Sequence, residues 1–250
     1  IPILAQDTIK GAAEIETAIE SKNFKQAEAL LEQQVEYFLK QGNVDTLVHY
    51  VSLAGKIGME SGGPAKAAVA VKAYIDRVAL QHPTDKTIRQ LHIEAGEFFG
   101  IAGEDKKAYD ANIEALKYSK AALDIAKVES NLGVYAQRMG NVALSKEHHR
   151  KALSIRESEK NTDAEDLYIS YNSIAGIMWY ASKTDSAEFF YKKALKALEK
   201  TKPSNRNKYY RPAIIQNNIS AIYSGDGRMS NAINAQQDAI SNIQQYIASD

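Results

Sequence analysis

Only a few residues here have the types and spacing that chemistry needs. His148-His149 is the one paired histidine. Adjacent helical residues diverge by about 100°, so the two rings do not share a face as residues i and i+4 would. The pair is therefore read as structural, with His149 in a core and neither residue as a metal ligand. Asp226, in Ser224-Gly225-Asp226-Gly227, supplies one carboxylate where calcium asks for several, and is read as a turn. Gly62-Gly63-Pro64-Ala65-Lys66 lacks the spacing and the hydroxyl residue of a phosphate loop. Lys202, Arg206, Lys208 and Arg211, with Tyr209 and Tyr210, form a basic-aromatic stretch, read as a solvated loop leading into a helix. The sequence has no cysteine, which removes disulfides, thiolate nucleophiles and thiolate-bound zinc together. No Ser/His/Asp set or carboxylate pair falls at a telling spacing. The expectation is a protein that is not an enzyme, with no cofactor and no metal.

The elements that would position any other site come next. The 250 residues carry 31 basic and 31 acidic side chains, so no strong field draws the whole chain to nucleic acid, and no nucleic-acid partner is expected. No apolar run is long enough to cross a membrane. Ile1-Pro2-Ile3-Leu4-Ala5-Gln6 reads as the remnant of a signal peptide over 1–6, which places the protein in the periplasm or outside the cell, the other reading being the cytoplasm. With five prolines, fourteen glycines and no long β-branched alternation, the chain reads as all-α.

Apolar residues recur at three- and four-residue spacing in twelve stretches: about 7–21, 24–40, 44–60, 65–81, 85–101, 104–119, 121–139, 142–158, 164–181, 184–200, 207–224 and 228–248. Thr162 and Glu165 stand at capping-box spacing before the ninth. The stretches are themselves periodic. A small residue is followed by another at +12 and at +19: Gly96, Ala108, Ala115; Gly133, Ser145, Ala152; Ala175, Ala187, Ala194; Ser220, Ala232, Ala239. Gly55 and Ala67 begin a further copy, with Tyr74 in third place, and a degenerate copy around Ala27 opens the chain. A turn glycine seven residues after the anchor recurs at Gly62, Gly103, Gly140 and Gly227, with Ser182 as the exception. Small residues at such offsets let paired helices approach closely, and a hairpin that cannot bury its apolar face alone buries it against its neighbours.

This pattern resembles the tetratricopeptide repeat. In the fifth copy Tyr171, Ile174, Ala175, Ala187, Tyr191 and Ala194 fall on the family's positions; in the fourth, Leu132, Gly133, Gly140 and Ala152 do. The pitch near 41 residues exceeds the family's 34. It is similar to the kinesin-light-chain subtype, as are Asn217-Asn218-Ile219-Ser220 and Lys151-Ala152-Leu153-Ser154-Ile155-Arg156-Glu157. The resemblance implies a right-handed α-solenoid of about six hairpins (7–41, 44–81, 85–119, 121–159, 164–200, 207–248) in a single domain over 7–250, with the first helix of each pair on the concave side.

The family's function, a groove that binds a protein or peptide, comes with the resemblance. Groove positions carried over are Ser130, Val134, Gln137 and Arg138 in the fourth copy, Asn172, Gly176, Trp179 and Tyr180 in the fifth, and Asn217, Ala221, Ser224 and Gly225 in the sixth, with Asn131 and Asn218 beside them. An asparagine amide both donates and accepts, so Asn131, Asn172 and Asn217 suit a peptide backbone. Trp179 and Tyr180 suit an apolar pocket, and Arg138 a carboxylate. The alternative implied by the resemblance is the sensory or regulatory N-terminal region of a larger bacterial protein, ahead of a histidine kinase, a regulator or a CHAT-type protease. Ile240, Ile243, Tyr246 and Ile247 form a stripe on the last helix with no later helix to cover it. That stripe implies self-association or a further domain.

Overall fold

In a computed structural model the chain is described over residues 3–249, with side chains from residue 10 on. The leader remnant read at 1–6 falls partly outside the described residues. The fold is all-α, of the α-solenoid class: α1 Ile3–Glu20, α2 Phe24–Lys40, α3 Val51–Ala79, α4 Asp85–Ile101, α5 Asp105–Lys117, α6 Ala122–Arg138, α7 Val142–Ser158, α8 Ala164–Tyr180, α9 Thr184–Leu198, α10 Arg211–Gly225 and α11 Met229–Ala248. These eleven contain the twelve expected rods, because α3 runs through a kink at Gly63 (φ 78°, ψ −170°), with Pro64 just after it. Two expected helix starts are wound differently. Val44–Tyr50 is a 3-10 helix leading into α3, and Arg206–Tyr210 is a π-helical turn leading into α10.

Each pair of rods turns on one residue in the left-handed region: Lys22, Gly63, Gly103, Gly140, Ser182 and Gly227. The expected turn glycine of the second copy is thus corrected from Gly62 to Gly63. Ser182 breaks the glycine pattern in sequence but not in conformation, with φ 54°. The helix ends are closed by bonds from beyond the turn, as where Glu104 N donates to Phe99 O (2.8 Å) and Arg228 N to Tyr223 O (2.8 Å). Polar side chains cap several starts: Thr84 for α4, Asn141 for α7 and Asp163 for α8. The capping box expected from Thr162 is replaced. Asp163 accepts from Glu165 N (2.9 Å), while the Thr162 hydroxyl donates backwards to Arg156 O (2.7 Å) and closes the end of α7.

The helices gather in two compact units. The first holds α1 to α5, the start of α6 and Val134–Gly140; the second holds Ile125–Gly133 and everything from Asn141 on. The core of the first includes Ile15, Phe38, Tyr50, Ile57, Leu91 and Phe99. That of the second includes Ile174, Met178, Tyr191, Ile215, Ile219 and Ile222.

Small anchors do the packing expected of them, with one change of partner. A Cβ on Gly96 would lie 2.4 Å from the Asn112 amide and 3.2 Å from Ala108 O. On Gly133 it would lie 2.7 Å from the His149 ring. The Ser220 hydroxyl donates to Ala232 O (2.8 Å), twelve residues on. In the second copy the close approach to Ala67 is made by Gly58, whose Cβ would meet its backbone at 2.7 Å, while Gly55 accommodates the Phe98 ring.

Candidate functional site

The first helices carry the residues to be located. Position −3 from the anchor is Ser130 in α6, Asn172 in α8 and Asn217 in α10, and these are buried, half-buried and exposed in turn. Ser130 is covered by Arg156 of its own hairpin, and after α10 and α11 the described residues supply no hairpin that could cover Asn217.

Ser130 is accordingly a correction to the groove list. It sits under the Arg156 side chain, whose guanidinium donates to Ser130 Oγ and Ser170 Oγ, each at 2.7 Å, and to Asp166 Oδ1 at 3.1 Å. Arg156 is 3% exposed, and burial pulls its pKa below the ordinary arginine value despite the Asp166 charge. In the next hairpin Leu198 takes the register of Arg156, 42 residues on. There Asn172 Oδ1 is shielded from solvent and accepts no hydrogen bond.

Beside Asn172 on the same unit, Trp179 is half-buried against the core, 3.9 Å from where a Cβ on Gly225 would stand. Tyr180 is 74% exposed. Asn218 bonds the Tyr191 hydroxyl, so that amide is engaged internally, whereas Asn217 faces outward one residue earlier. Asn131 is half-buried on α6. Arg138 falls in the other unit, where its Nη2 donates to Gly100 O (2.7 Å) and its Nε pairs with Asp105 (2.8 Å). The carboxylate that Arg138 is suited to grip is already supplied by the chain. Asn172, Trp179, Tyr180 and Asn217 therefore belong to one unit, and Arg138 to the other.

Sequence reasoning missed a buried carboxylate. Glu129 on α6 is 1% exposed, with His148 Nδ1 at 2.7 Å and Lys151 Nζ at 2.5 Å. Burial alone would raise its pKa, but the hydrogen bonds from His148 and Lys151 outweigh that and hold it below the usual value. No single-sequence signal distinguishes Glu129 from solvated acids at helical spacing. His149 is the core residue expected: 2% exposed, packed on Gly133, and kept neutral by burial with its pKa lowered to about 4. Among the described residues no group of three or more His, Asp or Glu comes together as a metal site, and no helix is long and apolar enough to cross a membrane.

Clefts open on the side of the second helices. One in the first unit, of about 560 Å³, runs between the second half of α3 and α5 over Ala95 and Phe99 of α4. His92 lies in its wall, stacked on Tyr118 with the planes 13° apart. Another, in the second unit, lies between Leu153 of α7 and Phe190 of α9 over Ile174 and Met178 of α8. None of the six groove residues lines either one.

Comparison with known proteins places this geometry. The tetratricopeptide repeat model matches residues 124–200. No curated protein sequence matches the chain. Among solved structures, BtubC (BKLC) from P. vanneervenii is similar at TM-score 0.69, with 14% identity over 98% of this chain and 92% of the other. The pilF protein of Pseudomonas aeruginosa follows at TM-score 0.54, with 14% identity over 96% and 97% of the two chains. YrrB is similar at TM-score 0.52, with 13% identity over 88% and 96%. At such identities the likeness speaks for the fold alone. The chain is thus all-α and built of helix hairpins, and its residues 124–200 match the tetratricopeptide repeat model.

Proposed function

We propose that this protein is a binding scaffold that holds an extended protein segment against the first helices of its second unit. Asn172, Trp179, Tyr180 and Asn217 make the contacts. The observation that carries the reading is Asn172 Oδ1, a shielded acceptor without a partner. Leaving such a group unpaired costs about 1–3 kcal/mol, a cost that a donor from a bound segment offsets. A peptide backbone offers both the donor that this oxygen lacks and an acceptor for the amide nitrogen. Tyr180 and Trp179 supply a rigid aromatic surface about two turns further along α8, of the kind that anchors interfaces. YrrB, whose fold is similar, is described as a TPR protein with an unusual peptide-binding site, which supports a peptide as the ligand class.

Asn131, one residue past the register of Asn172, lies beside that face on α6. Arg138 belongs to the other unit and is engaged there by Asp105 and Gly100 O, so it is left out of these contacts. The kinesin-light-chain-like subtype and the regulatory setting it implies belong to this proposal as well. In that setting the bound segment is the signal, and the same asparagines read it.

The test is a peptide array probed with the wild-type chain and with Asn172→Ala/Asn217→Ala and Tyr180→Ala variants. The variants should keep the helical circular dichroism of the parent and lose the peptides that the parent retains. Equal retention by a folded double variant would move the site elsewhere, with the second-helix clefts next in line.

A further inference from the structure

A second register runs through the copies anchored at Gly96, Gly133, Ala175 and Ser220. Four residues before the anchor stand His92 in α4, Glu129 in α6, Tyr171 in α8 and Gln216 in α10. Fifteen residues after it, on the second helix of the same hairpin, stand Ala111, His148, Phe190 and Ala235. In two hairpins the chain fills the space between these positions with its own side chains. Glu129 meets His148 Nδ1 at 2.7 Å, and the Tyr171 ring stacks on Phe190 with centroids 6.4 Å apart. In the last hairpin, where Ala235 is small, Gln216 accepts from Asn242 Nδ2 instead (2.8 Å). The hairpin of α4 and α5 differs. Ala111 sends no side chain across, and His92 stacks on Tyr118 while neither of its ring nitrogens makes a hydrogen bond among the described residues. The cleft of about 560 Å³ opens at this place, with Val71 and Ile75 in one wall, Ala111 in the other, and Ala95 and Phe99 beneath. Described helices bound it on both sides.

Every charged residue of the lining is already paired. Lys72 holds Asp76, Lys107 holds Glu104, Asp110 is held by Lys106 and Glu114 by Lys117, each three or four residues away along the chain. Burial pulls the His92 pKa below the ordinary imidazole value, against the pull of Glu114 and Asp76. The neutral ring therefore offers one acceptor nitrogen and one N–H. We infer that this cleft binds a small uncharged aromatic molecule bearing a hydroxyl or an N–H. Its ring takes the place that Phe190 fills in the hairpin of α8 and α9, and its donor bonds the acceptor nitrogen of His92. Such a volume, mostly apolar with one convergent polar group, is the usual make-up of a small-molecule site. A charged ligand would have to displace pairs that the chain has already made. The site lies in the first unit and uses none of the asparagine-bearing face.

Titration of the chain with phenol, indole, toluene and benzoate, followed by amide chemical shifts, tests this. Phenol and indole should shift the amides of Ala95, Phe99 and Ala111. Toluene, which has no donor, should bind about threefold to tenfold more weakly than phenol, and benzoate more weakly still. Ala111→Phe, which gives this cleft the ring that α9 carries, should abolish binding of all four with the helical circular dichroism unchanged. His92→Leu should keep toluene and lose the preference for phenol; where Ala111→Phe does not fold, this ratio decides. No shift at these amides up to about 10 mM phenol overturns the inference. So does binding that survives Ala111→Phe in a folded chain, equal affinity of the wild type for phenol and toluene, or a preference for benzoate. The Asn172→Ala/Asn217→Ala variant should bind phenol as the parent does, so this cleft and the asparagine face are tested separately.

Discussion

Two successive seams of the second unit share one frame and fill it differently. Between α6, α7 and α8 a buried arginine reaches two serine hydroxyls, and most polar atoms have partners. One repeat later Leu198 replaces the arginine, asparagine replaces the serine, and Asn172 Oδ1 is left alone. In the first seam the guanidinium ties three side chains together, although its own Nε stays without a partner. The second keeps an unpartnered acceptor on the helix that carries the exposed Tyr180 ring two turns further on. Stacking repeats supplies the frame in both. A few side chains at fixed register decide whether a seam holds the molecule together or waits for something else.

The comparison breaks most visibly at Arg156. Arg156→Ala should cost about 3 kcal/mol in chemical denaturation, since it strands Ser130 and Ser170 and leaves a cavity. Arg156→Met should recover most of that, because well-packed apolar residues often replace buried charges without loss. If both variants lose equally, the arginine contributes more than its hydrogen bonds and volume.

Acid should also find the first seam first. His149 is neutral in the fold, with a pKa of about 4 against 6.5 in the unfolded chain. Between those values the unfolded state takes up a proton that the folded state refuses, so stability falls as pH drops from about 6.5 towards 4. The second seam's counterpart is Glu188 on α9. Burial would raise its pKa, but hydrogen bonds from Lys192, Tyr223 and Arg228 outweigh that and hold it at about 2. Its contribution is complete above about 4.5 and is lost as pH falls towards 2. Melting temperature followed from pH 7 to 2 should show both declines, and His149→Phe should abolish the upper one alone.

Asn172→Ala is expected to leave stability unchanged or raise it by up to about 1 kcal/mol, because it removes an unpaired buried acceptor. A loss of more than that would show that the oxygen has a partner in the free protein. Asn217→Ala, at the exposed end of the stack, should change stability by less than about 0.5 kcal/mol. Any effect of that substitution belongs to binding.

The helices were legible because apolar residues at three and four spacing leave little alternative in a chain so poor in proline. The turns were legible to within one residue. Gly63 rather than Gly62 carries the left-handed conformation, and two adjacent glycines look alike until the backbone chooses one. The site was legible in outline. Asn172, Trp179, Tyr180 and Asn217 were found by register, but register alone could not tell that Ser130, at the same position, is sealed beneath Arg156. Nor could it tell that Arg138 is taken by Asp105 and Gly100.

By itself the sequence determined the class of fold, the length and order of its rods, the small residues that let them meet and the apolar stripe on α11. Each follows from local spacing, which a helix converts directly into a face. Only the tertiary structure decided which polar groups are spent and which remain. That depends on the side chain arriving from the next helix, and a single register step, from Arg156 to Leu198, changes the answer.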